Sequence, residues 1–239
     1  MSVLKTATLK CVAHGMKFPV GAMDRIAELQ LLCDLVERLR PDCVLDVGAN
    51  RGQFASELRG IAYRGRIISF EPLDSEFQAL SAAFADDPLW QGQNLALGSR
   101  SDNLEMVIPG LTVLGSLLSP NFESRSVRTQ RVNVARLDAV LPALLPDWQN
   151  QRLFLKMDTQ GYDLEVFRGA AGILDRVVGL QSELSVRPIY HGMPHYLQAL
   201  GCYEDAGFSL FNLSAVSRSA EDGLIEMNCF MQRQPDRAA

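Results

Sequence analysis

The run Asp46-Val47-Gly48-Ala49-Asn50-Arg51-Gly52 sets two glycines directly behind an acidic side chain, and Glu71 follows 23 residues after Gly48. Glycine permits a tight turn and a close approach of backbone to a ligand. A dinucleotide fingerprint needs glycine at positions 48, 50 and 53, but the chain has Gly48, Asn50 and Gln53, so a pyrophosphate would meet side chains where it needs bare backbone. An NAD-binding oxidoreductase is therefore the weaker reading. S-Adenosylmethionine carries no pyrophosphate: its ammonium suits Asp46, and its ribose diol suits Glu71, because a carboxylate accepts from two hydroxyls. A plain βα turn capped by Asp46 would show the same residues, so this motif alone leaves both readings open.

A second group, Lys156, Asp158, Glu183, Tyr190, His191 and His195, falls near the expected ends of two later strands. Groups of these types can align an acceptor and remove its proton. Glu183 or His191 is the expected base, with Asp158 orienting acceptor or cofactor. A solvent-exposed loop histidine is an equal reading of His191. The alternative sets Mg²⁺ or Mn²⁺ between Asp158, Glu183 and the substrate hydroxyl, since hard cations prefer carboxylate oxygens; no dedicated metal ligands are assigned.

These residues need strand ends and turns to bring them together. Met23 to Leu39 carries an apolar stripe at helical spacing and stops at Pro41, making 1–41 an N-terminal helical segment. Cys43 to Val47 reads as a strand covered on both faces, interrupted by Asp46, and Phe54 to Leu58 begins a helix. Arg66 to Phe70 completes a βαβ unit. Further strands are expected at Trp90–Leu95, Arg152–Met157, Val177–Leu184, Phe208–Leu213 and Leu224–Met231, with helices at Ser75–Phe84, Tyr162–Gly169 and His195–Ala206. The alternation predicts one α/β domain over 1–239, a Rossmann-like, mostly parallel seven-stranded sheet with an antiparallel C-terminal hairpin joined through Ser214 to Gly223. Residues 99–141 break the pattern, with short strands at Met106–Ile108 and Arg131–Val134, and read as an insertion or lid. Met106, Met157, Met227 and Met231 read as core fillers. Tyr162 reads as cover for a helix start, and Ser116 equally as a lid or a loop residue.

Four blocks resemble the FkbM family of methyltransferases, from about Val44 to near the C-terminus: Val44-Leu45-Asp46-Val47-Gly48-Ala49-Asn50-Arg51-Gly52-Gln53; Ser69-Phe70-Glu71-Pro72; Asn94-Leu95-Ala96-Leu97-Gly98; and Leu155 to Ala170, which contains Lys156-Met157-Asp158-Thr159-Gln160-Gly161-Tyr162-Asp163. The resemblance implies a class I methyltransferase fold, S-adenosylmethionine as cofactor and O-methylation of a hydroxyl on a sugar, glycan or natural product. It also implies that Asp46, Gly48, Ala49, Asn50 and Gly52 line the methionine end, Glu71 and Pro72 the ribose, and Asn94, Ala96 and Leu97 the adenine side. Asp158 would face the transferable methyl, and Glu183 matches an acidic position of the family. Gln160 stands where the family commonly has an acid, and Asp163 where it commonly has glutamate. Gln160 is the one hint of a third reading, a methyltransferase-like binding protein without catalysis.

Composition narrows the partners. Apolar residues make up 47% of the 239 positions, so a full core is available. A net charge of −5 lacks the basic face that phosphate backbones demand, which disfavours nucleic acid and favours a small-molecule or glycan acceptor. Arg125, Arg128, Arg131 and Arg136 could steer an anion, although such spacing more often marks a solvated face. Five cysteines (Cys11, Cys33, Cys43, Cys202, Cys229) lack a CxxC pair, which fits reduced thiols. Lys5 and Lys10 precede no sustained apolar run, so a cytoplasmic location without membrane insertion is expected. Oligomeric state is not legible.

Overall fold

The computed structural model describes residues 20–124, 126–219, 221 and 223–234, with side chains from Asp24 onward. Lys5, Lys10, Cys11 and Arg125 lie outside the described residues. The elements are α1 (Val20–Leu39), β1 (Cys43–Val47), α2 (Gln53–Gly60), β2 (Arg66–Phe70), α3 (Asp74–Ala83), β3 (Trp90–Gln93), β4 (Ala96–Leu97), β5 (Asp102–Pro109), β6 (Val127–Ala135), α4 (Leu137–Leu144), β7 (Leu153–Met157), α5 (Asp163–Gly169), β8 (Val177–Ser185), α6 (Tyr196–Asp205), β9 (Phe208–Ser219) and β10 (Gly223–Arg233).

Seven strands form one sheet in the order β3-β2-β1-β7-β8-β10-β9. Pairing is parallel from β3 through β8, and β10 runs antiparallel to both β8 and β9. The central strands β1 and β7 are buried at every position, because helices cover both faces. Alternation sorts the core. Val44, Ile67 and Phe154 pack with Leu32 and Leu35 of α1, Leu58 of α2 and Leu80 of α3, while Leu45, Ile68 and Leu155 pack with Leu137, Phe167 and Tyr203 on the opposite face. On α1 the buried positions are Glu28, Leu32, Leu35 and Leu39, a stripe of three- and four-residue steps that leaves Ile26 exposed.

The C-terminal strands extend beyond their expected ends. β9 and β10 continue to Ser219 and from Gly223, so most of the polar stretch expected as a connection is paired strand. Segment 99–141 is likewise ordered: β5 and β6 form an antiparallel hairpin, and β6 pairs parallel with β4 in a separate three-stranded sheet. Between the two hairpin strands, residues 114–121 are stitched to 188–191. Asn121 N donates to Ile189 O at 2.9 Å, His191 N to Ser119 O at 2.8 Å, and Tyr190 Oη to Leu114 O at 2.7 Å.

Arg128 and Arg131 are exposed at opposite parities of β6 and so face opposite ways, and Arg136 is occupied by Asp138 and the Ser99 carbonyl. The described arginines of that cluster therefore form no single basic face. Among the described residues, no helix is long and apolar enough to cross a membrane. Cys33, Cys43, Cys202 and Cys229 are free thiols.

Candidate active site

A cavity of about 410 Å³ opens at the carboxyl ends of β1, β2, β7 and β8, within the range of small-molecule sites. Its first wall is the turn after β1. Gly48 and Ala49 both donate their N–H groups to Phe70 O at 3.0 Å, which clamps the turn to the end of β2. Gly48 has φ +73°, and a Cβ there would collide with the Asp158 carbonyl, so only glycine lets β1 and β7 approach this closely. Asn50 is also left-handed at φ +47°, a conformation asparagine tolerates better than most residues.

Glu71 ends β2. It is 4% exposed, and its two carboxylate oxygens accept from Asn50 N at 2.8 Å and Leu73 N at 2.9 Å. Burial pushes this carboxyl up to about 7, against the lowering effect of those two amides. Each oxygen keeps a lone pair for a further donor.

Across the same sheet face runs a polar row set by the parallel register: Ser69 opposite Asp46, Asp46 opposite Lys156, Lys156 opposite Gln181. Asp46 is fully buried. Lys156 Nζ lies 3.1 Å from Asp46 Oδ1 and 3.0 Å from Gly48 O, and Ser69 Oγ donates to Asp46 Oδ2 at 3.2 Å. Burial works against the Lys156 charge, but Asp46 and Asp158 outweigh it and hold the ammonium's pKa above its ordinary value. Asp46 therefore pairs with a cation of the chain beneath the turn and does not line the cavity, contrary to its expected contact with the methionine end.

At the ends of β7 and β8, Asp158 and Glu183 meet across Gln160. The Gln160 Nε2 donates to Glu183 Oε2 at 2.8 Å and lies 3.3 Å from Asp158 Oδ1. Its own φ is +51°, and its Oε1 accepts from Tyr190 Oη at 3.3 Å. Behind them the buried Asp163 carboxylate accepts from Thr159 N, Thr159 Oγ1, Ser182 Oγ and Glu183 N, so one side chain ties the two strand ends together. Burial, then the charges of Asp158, Glu226 and Asp163, raise the Glu183 carboxyl well above its ordinary range.

The remaining wall is supplied by Pro72, Ala96 and Leu97, by Met106, by Thr112, Val113, Leu114, Gly115 and Leu117 between β5 and β6, and by Tyr162. Met106 lines this wall while also packing, as expected of a core filler, against the small cluster of Ala96, Val132 and Val134. Ser116, wholly buried, donates to Gln160 O at 2.7 Å. Three expected site residues point elsewhere. Asn94 is exposed and its Nδ2 donates to the carbonyls of Glu71 and Pro72, closing the end of β2 from outside. Gly52 faces the rings and methyls of Phe84 and Leu80, where a Cβ would collide, so it serves the packing of α2 on α3. His191 is exposed and outside the cavity lining, because its loop turns it away after the bond to Ser119.

The sequence reading missed Gln181, Glu226 and Asn228, which line the cavity where β8 and β10 pass under α1. The signal for Gln181 was the same as for Asp46: a polar residue inside a strand buried on both faces. Glu226 and Asn228 lie on β10, where pairing with β8 sets Asn228 opposite Glu183 and Glu226 opposite Ser185.

Similar solved structures include an Aeropyrum pernix fibrillarin with natively bound S-adenosyl-L-methionine (13% identity, 80% of this chain and 66% of that one, TM-score 0.45). Others are an rRNA methylase from Streptococcus thermophilus (11%, 86% and 95%, 0.45) and the magnesium protoporphyrin IX methyltransferase of Synechocystis with bound S-adenosylmethionine (8%, 92% and 86%, 0.47). Among curated proteins, none matches the chain. The model of the methyltransferase FkbM domain matches residues 46–210, which run from the acid before the glycine turn to the start of β9 and cover more than half of the chain. The chain belongs to the FkbM methyltransferase family.

Proposed function

We propose that the chain transfers the methyl group of S-adenosylmethionine to a hydroxyl oxygen of a small polyhydroxylated acceptor, a sugar, glycan or natural product. The observation that carries this reading is the meeting, in one cavity, of a glycine turn, a buried carboxylate ending the neighbouring strand, and a second carboxylate with a raised pKa. S-Adenosylmethionine supplies an electrophilic methyl group on sulfur. Everything else falls to side chains and backbone. Glu71 accepts from the ribose diol through its free lone pairs, Ala96 and Leu97 offer an apolar wall to the adenine, and the Gly48–Asn50 turn faces the methionine end. With Asp46 neutralised by Lys156 at 3.1 Å, Asp158, farther from the same ammonium at 3.7 Å and partly exposed, is the acid left to meet the cofactor's ammonium.

Glu183 is the general base in this reading. A carboxylate held above its usual range removes a hydroxyl proton more readily near neutral pH than an ordinary one. Bound S-adenosylmethionine would supply the methyl group to that oxygen, and the hydroxyl proton would rest on Glu183. A divalent cation fits the same place poorly. The Gln160 amide donor sits between Asp158 and Glu183, Lys156 stands 3.7 Å from Asp158, and no group of three or more metal-ligating side chains exists among the described residues.

The test is a labelled-methyl assay over hydroxylated metabolites and glycans, paired with calorimetry using S-adenosylhomocysteine. Expected are micromolar binding, loss of that binding in Glu71→Ala, and loss of transfer with retained binding in Glu183→Gln. Binding without transfer to any acceptor would favour the non-catalytic reading. No binding at all would refute the cofactor assignment.

A further inference from the structure

The cavity has an end that the cofactor reading does not use. It lies where β8 and β10 pass under α1, and it holds two buried acceptor atoms without partners: Gln181 Oε1, on a side chain 6% exposed, and Glu226 Oε1, on one 8% exposed. Both oxygens are closed off as they stand, so a ligand's donor reaches them only when the side chain turns toward the cavity that its residue lines, and pairing then offsets the cost of leaving them unpaired. Their backbones are separated along the sheet by about four residues, on the order of 13 Å. A ligand touching both must therefore carry donors at two ends.

Charge sharpens the choice. The cavity-lining cations are already engaged: Lys156 by Asp46 and Asp158, Arg25 by Glu28 and Glu57. Among the described residues, the carboxylates of Glu183 and Glu226 face no free cation, and burial raises both. Glu226 has only Ser217 Oγ, at 2.8 Å, on its other oxygen. Asn228 spends one of its two Nδ2 hydrogens on Glu28 Oε1 at 2.7 Å.

We propose that this end is the acceptor subsite and that it recognises a polyol carrying a protonated amine, the amine on Glu226 and a hydroxyl on Gln181. The inference rests on the methyltransferase reading above and deepens it by naming the acceptor's charge. It predicts rejection of acceptors with a carboxylate or phosphate near the methylated oxygen. Glu226 lies beyond the segment matched by the family model, on the C-terminal hairpin of β9 and β10.

The experiment uses the full chain saturated with S-adenosylhomocysteine, titrated with D-glucosamine, D-glucose and D-glucuronate at pH 7. Glucosamine is expected to bind about tenfold more tightly than glucose, as a desolvated charge pair allows, and glucuronate not to bind. Glu226→Gln should bring glucosamine level with glucose while leaving S-adenosylhomocysteine affinity unchanged. Gln181→Met should weaken both sugars alike, and it serves if the first variant fails to fold. Equal binding of glucose or glucuronate, no binding of glucosamine, or an unchanged preference in Glu226→Gln overturns the proposal. Absence of S-adenosylhomocysteine binding would instead sink the cofactor assignment on which it stands.

Discussion

Replacing Gly48 by alanine tests the geometry that joins the two halves of the site. The added Cβ would lie 2.9 Å from the Asp158 carbonyl carbon and closer still to its oxygen, and both are backbone atoms that no rotamer change can move. The residue would also have to keep φ +73°. The left-handed conformation costs an L-residue roughly 1–2 kcal/mol, and overpacking in a rigid core adds about 1–3 kcal/mol. The sum, roughly 2–5 kcal/mol, corresponds to a fall in Tm of about 4–20 °C for a chain of this size. Relief would require β1 and β7 to part at their ends, which moves Asp158 and loosens the turn, so S-adenosylhomocysteine affinity should fall at least tenfold. Gly201→Ala is the control. That glycine lies within α6 with nothing within 4 Å of a Cβ, and the same substitution there should stabilise by about 0.5–1 kcal/mol. Differential scanning fluorimetry and calorimetry on both variants decide the matter. A Gly48→Ala protein that melts within a degree of the parent and binds as tightly would refute the argument.

Lys156→Met should destabilise by about 3–5 kcal/mol, because it strands the buried Asp46 charge; urea unfolding of Lys156→Met beside a Lys156→Met/Asp46→Leu double variant should show the second recovering much of the loss. The Glu71 carboxyl sits at about 7 when folded against 4.5 unfolded, so its stabilising contribution is full below pH 4.5 and is lost as pH rises through about 7. The loss is roughly 3 kcal/mol at ~1.4 kcal/mol per pH unit. The stability of the unliganded chain relative to Glu71→Gln should decline across that window, and a flat difference from pH 4.5 to 8 would contradict the burial argument. Exhaustive EDTA treatment should leave methyl transfer intact, and His191→Ala should leave kcat within about twofold, given an exposed ring outside the cavity; an EDTA-sensitive rate restored by Mn²⁺ would reopen the metal reading.

Much of the sheet was legible because strands buried on both faces leave near-continuous apolar runs, as in Cys43–Val47 and Leu153–Met157. Asp46 stood out in its run for a sound reason, yet its partner could not be read. Lys156 is 110 positions away, and only the parallel register of β1 with β7 places the two side by side. The same limit hid the far end of the cavity, where antiparallel pairing with β8 brings Glu226 and Asn228 beside Ser185 and Glu183. His191 attracted attention through its chemistry, but a loop residue's direction is set by contacts made elsewhere, here by the bond of its own backbone to Ser119. The segment 99–141 looked irregular because β5 and β6 are half exposed and mix polar residues without strict alternation.

The seam between 114–121 and 188–191 couples two stretches that the chain makes some seventy residues apart. Lengthening or trimming either one alone would leave carbonyls and amides of the other facing nothing, so changes of length there are tolerated only in matched pairs. A library that varies both stretches together would keep the seam closed, while one that varies either alone would mostly return unfolded ceilings over an intact floor.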